Sequence, residues 1–184
     1  MSVYSRLKYL HLAYFSKPPG QRCLHRAVKR NAVRRIVEIG VGDLRRALRM
    51  IDLAARWGGG VREIKYTGID LFEARGDDRP PLMLKHAHKV LIATGAKIKL
   101  VPGNPFDGLS RTANTLMGTD LLLIAADVDA VALEQAWFYV PRMLHDNSVV
   151  VMEDLTGPQP VMHVVAAEAI DQFAGSNASG CRAA

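Results

Sequence analysis

Two glycines that follow an acidic residue form the first pattern in the chain with a chemical use. Glu38 lies near the end of an apolar run, and Gly40 and Gly42 follow it in Val37-Glu38-Ile39-Gly40-Val41-Gly42-Asp43. Glycine permits a tight turn and a close approach of a ligand to the backbone. A helix that begins after such a turn offers unpaired N–H groups to an anionic group such as a carboxylate. The alternative is a glycine turn that only joins a strand to a helix.

The same pattern argues against a dinucleotide-binding protein. The dinucleotide fingerprint has a third glycine that allows close packing of the helix on the strand. Arg45 stands at that position in this chain. A large cation is incompatible with that packing.

A second acid, Asp70, stands in Gly68-Ile69-Asp70-Leu71, at the end of another apolar run. A carboxylate at the end of the second strand can accept hydrogen bonds from both hydroxyls of a ribose. The alternative is an aspartate that caps a loop.

A third pattern is the pair Asn104-Pro105, which follows the run that ends at Val101. An asparagine amide both donates and accepts hydrogen bonds, so Asn104 can bind the edge of an adenine. Asn-Pro also starts turns, and a purely local role for this pair stays open.

The elements that position these patterns alternate between β-rich runs and amphipathic helices. Strands are predicted at 35–40, 63–71, 97–101, 120–125 and 148–152. Helices are predicted at about 2–15, 21–32, 43–57, 82–94, 106–117, 130–144 and 161–173. Such alternation predicts a parallel sheet with helices on both faces. In these sheets ligands bind outside the carboxyl ends of the strands, so the three patterns are expected to lie together.

Composition favours one globular domain in the cytoplasm. The chain has 184 residues, 49% of them hydrophobic and 23% charged. No apolar run reaches the roughly 20 residues of a membrane span. Arg6, Lys8 and Lys17 interrupt the first apolar patch, which is unlike a signal peptide. Cys23 and Cys181 lack metal-ligand or redox spacing and are expected to be reduced thiols.

Positive charge is concentrated at the start of the chain. Residues 1–50 hold 12 lysines and arginines and only two acids, Glu38 and Asp43, whereas the whole chain has a net charge of +6. A basic segment of this kind attracts nucleic acid or an acidic partner. No nucleic-acid motif accompanies it, so a solvated helix face is the favoured interpretation and nucleic acid the alternative.

The three patterns together, one per strand end, resemble the class I S-adenosylmethionine-dependent methyltransferases over about residues 30–174. The resemblance implies a Rossmann-like doubly wound sheet of about five strands in the order 3-2-1-4-5, with S-adenosylmethionine as cofactor. It divides the chain into basic N-terminal helices at 1–32, a cofactor-binding core at 33–174 and a tail at 175–184. The residues it places on the cofactor are Glu38, Gly40 and Gly42 at the amino-acid end, Asp70 with Leu71 at the ribose, and Asn104 with Pro105 at the adenine. The third glycine of the family motif is Leu44 here.

The C-terminal half resembles relatives of the metal-dependent O-methyltransferases, with two departures. Ala125 and Val128 replace an aspartate and a histidine of the signature after the fourth strand. Asp127, Glu153 and Asp154 are an alternative acidic cluster for a divalent metal, although solvated loop carboxylates are the favoured interpretation. Asp127 is the one candidate for a general base.

The sequence therefore predicts methyl transfer from S-adenosylmethionine to an unknown small-molecule or macromolecular acceptor. The alternative is a non-catalytic domain that serves in binding or assembly. After a last helix at 161–173, no residues are left for further strands, so the fifth strand is expected to be an open edge. Open edges pair with other chains, and this predicts a homodimer or a partner that covers it.

Overall fold

The computed structural model describes residues 21–77, 79–155 and 160–178 of the chain. The helix expected at 2–15 and the end of the tail lie outside these residues. The described helices are α1 (Gln21–Arg30), α2 (Arg45–Trp57), α3 (Leu84–Ile92), α4 (Pro105–Thr112), α5 (Ala130–Ala136) and α6 (Ala167–Ala178). None of these six is long and apolar enough to cross a membrane.

Six strands form one sheet in the order β3-β2-β1-β4-β5-β6. They are β1 (Arg35–Ile39), β2 (Lys65–Asp70), β3 (Lys97–Pro102), β4 (Leu121–Ile124), β5 (Val149–Asp154) and β6 (Val161–Val164). Strands β1 to β5 are parallel to one another, and β6 is antiparallel to β5. The predicted doubly wound fold and the order 3-2-1-4-5 are confirmed, with one strand added.

Helices cover both faces of the sheet because its central strands are apolar throughout. All four residues of β4 are buried, which requires an apolar layer above and below them. Helices α1, α2 and α3 form one layer, represented by Leu24, Met50 and Leu91 in a single buried cluster. Helices α4, α5 and α6 form the other layer around Leu109. The site residues at the strand ends are therefore held by a rigid three-layer core.

The predicted helix at 161–173 is wrong in its first half. Residues Val161–Val164 form β6, and α6 begins only at Ala167. Val151 pairs with Val164, and Asp154 pairs with Val161. The run of β-branched residues suits a strand, and its pairing occupies backbone groups of β5 that would otherwise lie unpaired.

The exposed-edge argument for a homodimer therefore fails, because the chain's own β6 covers β5. Helix α1 also packs at this edge of the sheet, against β6. The Cys23 thiol of α1 donates a hydrogen bond to the Met162 carbonyl of β6 at 3.2 Å. A homodimer stays a prediction, without the edge to support it.

The packing of β6 predicts an asymmetric response to mutation. Met162 is 5% exposed and joins the cluster beneath α1, whereas Val164 is 54% exposed. Met162→Ala is expected to lower the free energy of unfolding by about 2–5 kcal/mol, because it leaves a cavity in the core. Val164→Ala, the control, is expected to change it by less than about 1 kcal/mol. Urea denaturation measures both, and equal effects would contradict the assignment of this strand.

Candidate functional site

The ends of the central strands meet at one edge of the sheet, through backbone hydrogen bonds. The Gly40 N–H donates to the Ile69 carbonyl, and the Ala125 N–H donates to the Ile39 carbonyl, each at 2.9 Å. The Gly103 N–H donates to the Asp70 carbonyl at 2.9 Å. The loops after β1, β2, β3 and β4 are thereby brought together, as the sequence predicts.

Glu38 lies beneath this edge and is fully buried. Its carboxylate accepts a hydrogen bond from the Tyr66 hydroxyl at 2.5 Å and from Nε of Arg46 at 2.6 Å. Burial raises the pKa of Glu38, and the charge of Arg46 and the bond from Tyr66 oppose that rise. Both carboxylate oxygens are engaged within the protein, so Glu38 supports the glycine turn rather than facing a ligand.

Arg46, in the first turn of α2, completes that support. Its Nη1 donates to Oε2 of Glu153 and its Nη2 to the Gly40 carbonyl, both at 2.8 Å. Burial alone would lower the pKa of Arg46, but the charges of Glu38 and Glu153 raise it above its ordinary value. Arg46 therefore stays charged and ties the glycine turn to β1 and β5. A fully buried acid needs a cationic partner, and that requirement is the signal in the sequence that points to Arg46.

The turn between β1 and α2 takes three left-handed backbone conformations. The φ angles are +81° at Gly40, +64° at Gly42 and +68° at Leu44. Leu44 stands at the position of the third glycine of the family motif and is 3% exposed. A residue with a side chain loses about 1–2 kcal/mol in this conformation, so the burial of Leu44 has to offset that cost.

Asp70 lies at the predicted place, the end of β2, and is 6% exposed. Its carboxylate accepts hydrogen bonds from the backbone N–H groups of Val41 and Phe72 at 2.7 and 3.1 Å. Arg75 binds it in bidentate fashion, Nε to Oδ1 at 2.8 Å and Nη2 to Oδ2 at 2.7 Å. Burial by itself would raise the pKa of Asp70, but the bonds from Arg75, Phe72 and Val41 outweigh it and lower the pKa.

This bidentate ion pair is the main feature that the sequence analysis missed. Arg75 satisfies the two oxygens that were expected to receive ribose hydroxyls, and its Nη2 also donates to the Gly42 carbonyl at 3.0 Å. The short separation of Arg75 from Asp70 in the sequence is the only signal for it. In this conformation the carboxylate is available to a ligand only if Arg75 moves.

Asn104 follows β3 and caps α4. Its Oδ1 accepts a hydrogen bond from the Asp107 N–H at 2.8 Å, and Pro105 is the buried first residue of the helix. The local interpretation of Asn-Pro therefore holds for the amide oxygen. The amide nitrogen makes no hydrogen bond with the described residues, and it can still serve a ligand.

A narrow cleft of about 40 Å³ joins these loops. Five of the predicted cofactor residues line it: Gly40, Asp70, Leu71, Asn104 and Pro105. Glu38, Gly42 and Asp127 do not. Pockets that hold small organic ligands measure about 300–1,000 Å³, so the cleft is closed in this conformation.

A wider cavity of about 500 Å³ lies beside the cleft, lined by Gly42, Asp127, Glu153 and three arginines of α2, Arg45, Arg46 and Arg49. Asp127 contacts Arg79, with Nε and Oδ2 3.7 Å apart, and Glu153 is paired with Arg46. The described residues contain no group of three His, Cys, Asp or Glu side chains arranged for a metal ion. The alternative acidic cluster of Asp127, Glu153 and Asp154 therefore does not assemble in this conformation.

No protein-family model and no curated protein sequence matches the chain. Solved structures do match its fold. CalS11, a TDP-rhamnose 3'-O-methyltransferase of calicheamicin biosynthesis, superposes with a TM-score of 0.53 at 18% identity over 84% of this chain and 79% of that one. A SAM-dependent methyltransferase from Agrobacterium tumefaciens gives 0.52 at 11% identity, over 86% and 50% of the two chains. The methyltransferase CalH in complex with S-adenosylhomocysteine gives 0.50 at 14%, over 76% and 37%.

These likenesses show that the chain has the fold of the class I S-adenosylmethionine-dependent methyltransferases. The chain spans 50% of the Agrobacterium structure and 37% of CalH. At these identities the comparison establishes the fold alone.

The two glycines of the turn are expected to differ in their tolerance of a side chain. A Cβ at Gly40 would lie 2.7 Å from Cβ of Ala125 and 2.9 Å from Cγ1 of Val128, whereas one at Gly42 would meet nothing within 4 Å. Gly42→Ala is expected to cost only the left-handed strain, about 1–2 kcal/mol. Gly40→Ala adds overpacking and is expected to cost about 1–3 kcal/mol more. Chemical denaturation of both variants measures the difference, and equal losses would contradict the close packing of β1 on β4.

The Asp70–Arg75 pair predicts a defined acid dependence of stability. The pKa of Asp70 is lowered below its ordinary value of 3.8, so the folded state favours the ionised form. The resulting stabilisation is complete above that ordinary value and is lost as the pH falls through the lowered folded pKa. The difference in unfolding free energy between the natural protein and Asp70→Asn is therefore expected to narrow below about pH 4. Urea titrations from pH 7 to pH 2.5 test this, and a difference that widens toward acid would refute it.

Proposed function

We propose that the protein binds S-adenosylmethionine across the cleft at the carboxyl edge and transfers its methyl group to an acceptor. The observation that carries the proposal is the convergence of three loops, bearing Gly40, Asp70 and Asn104, on one cleft in a sheet of the methyltransferase order. The neighbouring structure of CalH contains S-adenosylhomocysteine, the product that a methyl donor of this kind leaves behind.

The chemistry of the cleft residues fits this cofactor in three places. Asp70 supplies a carboxylate for the ribose hydroxyls, with Leu71 beside it. The free amide nitrogen of Asn104, followed by Pro105, suits an acceptor atom of adenine. Gly42 adjoins open space, so the backbone of the turn is accessible to the amino-acid end of the cofactor. Glu38 acts behind the turn, through Arg46.

Binding has to break two ion pairs, since the closed cleft is too small for the cofactor. Arg75 has to leave Asp70, and Arg79 has to leave Asp127. Both arginines belong to the connection between β2 and α3. When Arg75 departs, Asp70 keeps the two N–H donors from Val41 and Phe72, and its carboxylate would be free to accept hydrogen bonds from ribose hydroxyls.

Methyl transfer depends mainly on holding donor and acceptor in line. The bound cofactor supplies an electrophilic methyl group. Asp127 is the candidate base for the proton that the acceptor releases, because its side chain is 48% exposed and adjoins the glycine turn. The wider cavity beside the cleft, which Asp127 also lines, is the proposed place for the acceptor.

A second candidate function is a non-catalytic domain for binding or assembly. The bidentate Asp70–Arg75 pair favours it, because Arg75 already binds both oxygens of the carboxylate. The two side chains are buried, with 3% of Asp70 and 5% of Arg75 exposed. In this case Arg75 would permanently bind the carboxylate that otherwise accepts hydrogen bonds from a ribose. The absence of the signature aspartate at Ala125 agrees with it.

Calorimetry with S-adenosylhomocysteine tests the first proposal. Asp70→Asn keeps the shape of the side chain but removes a charge-assisted acceptor, and it is expected to weaken binding about tenfold to a hundredfold. The control is Asp52→Asn, which removes a carboxylate paired with Arg56 on the outside of α2. Equal affinities for the natural protein and folded Asp70→Asn would rule out the assigned role of Asp70.

Arg75→Gln distinguishes the two candidate functions. If Arg75 only competes with the cofactor, its removal is expected to tighten binding on the order of tenfold. Binding by Arg75→Gln together with none by the natural protein would favour the non-catalytic domain. No binding by either protein would overturn the cofactor proposal. Once binding is established, release of S-adenosylhomocysteine from S-adenosylmethionine in the presence of candidate acceptors measures transfer itself.

A further inference from the structure

The opposite edge of the sheet, at the amino ends of the parallel strands, carries a row of cations. Arg35 of β1 is in register with Lys65 of β2, and Lys65 is in register with Lys97 of β3. In-register residues of parallel strands point to the same face, and Lys99 joins them because it stands two residues after Lys97. Four positive side chains therefore share one face of three adjacent strands.

Such a row is unfavourable for the protein alone. Adjacent strands are about 4.8 Å apart, and like charges placed directly opposite one another repel. The described residues around these cations include Asp120, but its carboxylate is already bonded to the N–H groups of Arg34 and Arg35 and to the His145 ring. Asp120 therefore adjoins only the Arg35 end of the row, and within the described part of the chain Lys65, Lys97 and Lys99 form no ion pair with a carboxylate.

The four cations line a cavity of about 370 Å³ between the sheet and the segment 115–119. None of its described lining residues is acidic. Two contacts fix its walls: Nη1 of Arg35 donates to the Met117 carbonyl at 2.5 Å, and Nζ of Lys99 donates to the Thr115 hydroxyl at 3.2 Å. The volume lies within the range of about 300–1,000 Å³ that holds small organic ligands.

Thr67 adds a neutral hydrogen-bonding group to the wall of this cavity. It lines the same cavity, in register with Lys99, and is only 7% exposed. Its hydroxyl makes no hydrogen bond with any described residue. The hydroxyl oxygen is not among the fully buried polar atoms of the described residues that lack a partner, so it is accessible from the open space of the cavity. A hydroxyl in this position can complete its bonding with an oxygen of a ligand.

We propose that this cavity binds a small anion with at least two phosphate groups. Lysine ammonium groups bind phosphate as point charges, and the Thr67 hydroxyl donates to a phosphate oxygen. The low exposure of Thr67 favours a small molecule over a nucleic acid, since a strand that lies along the surface would not reach its side chain. The site is separate from the cofactor cleft, which lies about five residues, or roughly 16 Å, away along the strands.

Calorimetry of the full chain with inorganic tripolyphosphate at low ionic strength tests the proposal. Lys65→Gln removes the central cation and is expected to weaken binding at least about tenfold. Thr67→Val keeps the β-branched shape, and its loss of one hydrogen bond is expected to weaken binding by about fivefold to tenfold. The matched control is Lys85→Gln on α3, an exposed lysine remote from the cavity, which is expected to bind as the natural protein does.

Thermal denaturation of the same proteins separates loss of binding from loss of fold. Without tripolyphosphate, Lys65→Gln is expected to melt at the same or a slightly higher temperature, because it relieves repulsion. At the same concentration of tripolyphosphate, the natural protein and Lys85→Gln are expected to gain more stability than Lys65→Gln and Thr67→Val.

Three results would overturn the proposal. The first is that the natural protein does not bind tripolyphosphate, and the second is that Lys65→Gln and Lys85→Gln weaken its binding equally. The third is that a single-stranded oligonucleotide binds more tightly than tripolyphosphate and that Thr67→Val does not change the affinity for the oligonucleotide. The measurements use neither S-adenosylmethionine nor its product, so their outcome is independent of the proposed methyl transfer.

Discussion

The fully buried carboxylate of Glu38 is the constraint on which the rest of the carboxyl edge depends. A buried charge must be compensated by an opposite charge within the protein, and removing one partner of a buried ion pair costs about 3–5 kcal/mol of stability. Arg46 supplies the compensation, and it can do so only if α2 begins directly after the glycine turn. The remaining nitrogens of Arg46 bind Gly40 and Glu153, so the same side chain fixes the turn and joins it to β5. One electrostatic requirement thereby sets the positions of β1, α2 and β5 around the cleft.

The parallel sheet and the meeting of the candidate site residues could be predicted from local patterns, whereas the strand order followed from the family resemblance. The apolar runs at β1 and β4 mark strands that are covered on both faces, and parallel strands align their carboxyl ends. Acids and glycines just beyond those runs must then share an edge. Gly40, Asp70 and Asn104 meet for this reason, although more than sixty residues separate the first from the last.

The errors arise where a tertiary contact decides between local alternatives. The segment Val161–Val164 is apolar apart from His163, and so short a pattern fits either a helix or a strand. The unpaired edge of β5 selects the strand, and a sequence pattern does not contain that information. The pairing of Arg75 with Asp70 depends likewise on the path of the chain after β2. Leu44 is a third case, since only its burial permits a left-handed conformation that its residue type disfavours.

In the described part of the chain, charged side chains are paired at one edge of the sheet, whereas the lysines at the other edge form no ion pair. At the carboxyl edge, acids are matched by arginines, as in Glu38–Arg46 and Asp70–Arg75. At the amino edge, Lys65 and Lys97 lie side by side without such matching. The positive charge in the first fifty residues therefore accounts for only part of this row of cations, because β2 and β3 contribute Lys65, Lys97 and Lys99. The acid–arginine pairs stabilise the fold or close the cleft. The cations of the amino edge repel one another, and the proposed anion would reduce that repulsion.

The Asp70–Arg75 pair finally decides how the carboxyl edge can act. Departure of Arg75 alone would leave the carboxylate of Asp70 without its cation, which is costly for a buried acid, so opening of the cleft has to be coupled to the arrival of new hydrogen-bond donors. When Arg75 moves into solvent it regains its hydration, and Asp70 retains its bonds from Val41 and Phe72. Phe72, directly before the segment that carries Arg75, has a left-handed φ of +51°, which is strained for a residue with a side chain. Relief of this strain and the hydration that Arg75 regains both offset part of the cost of opening, and exchange of Arg75 for ribose hydroxyls requires that these gains and the new hydrogen bonds outweigh the lost ion pair.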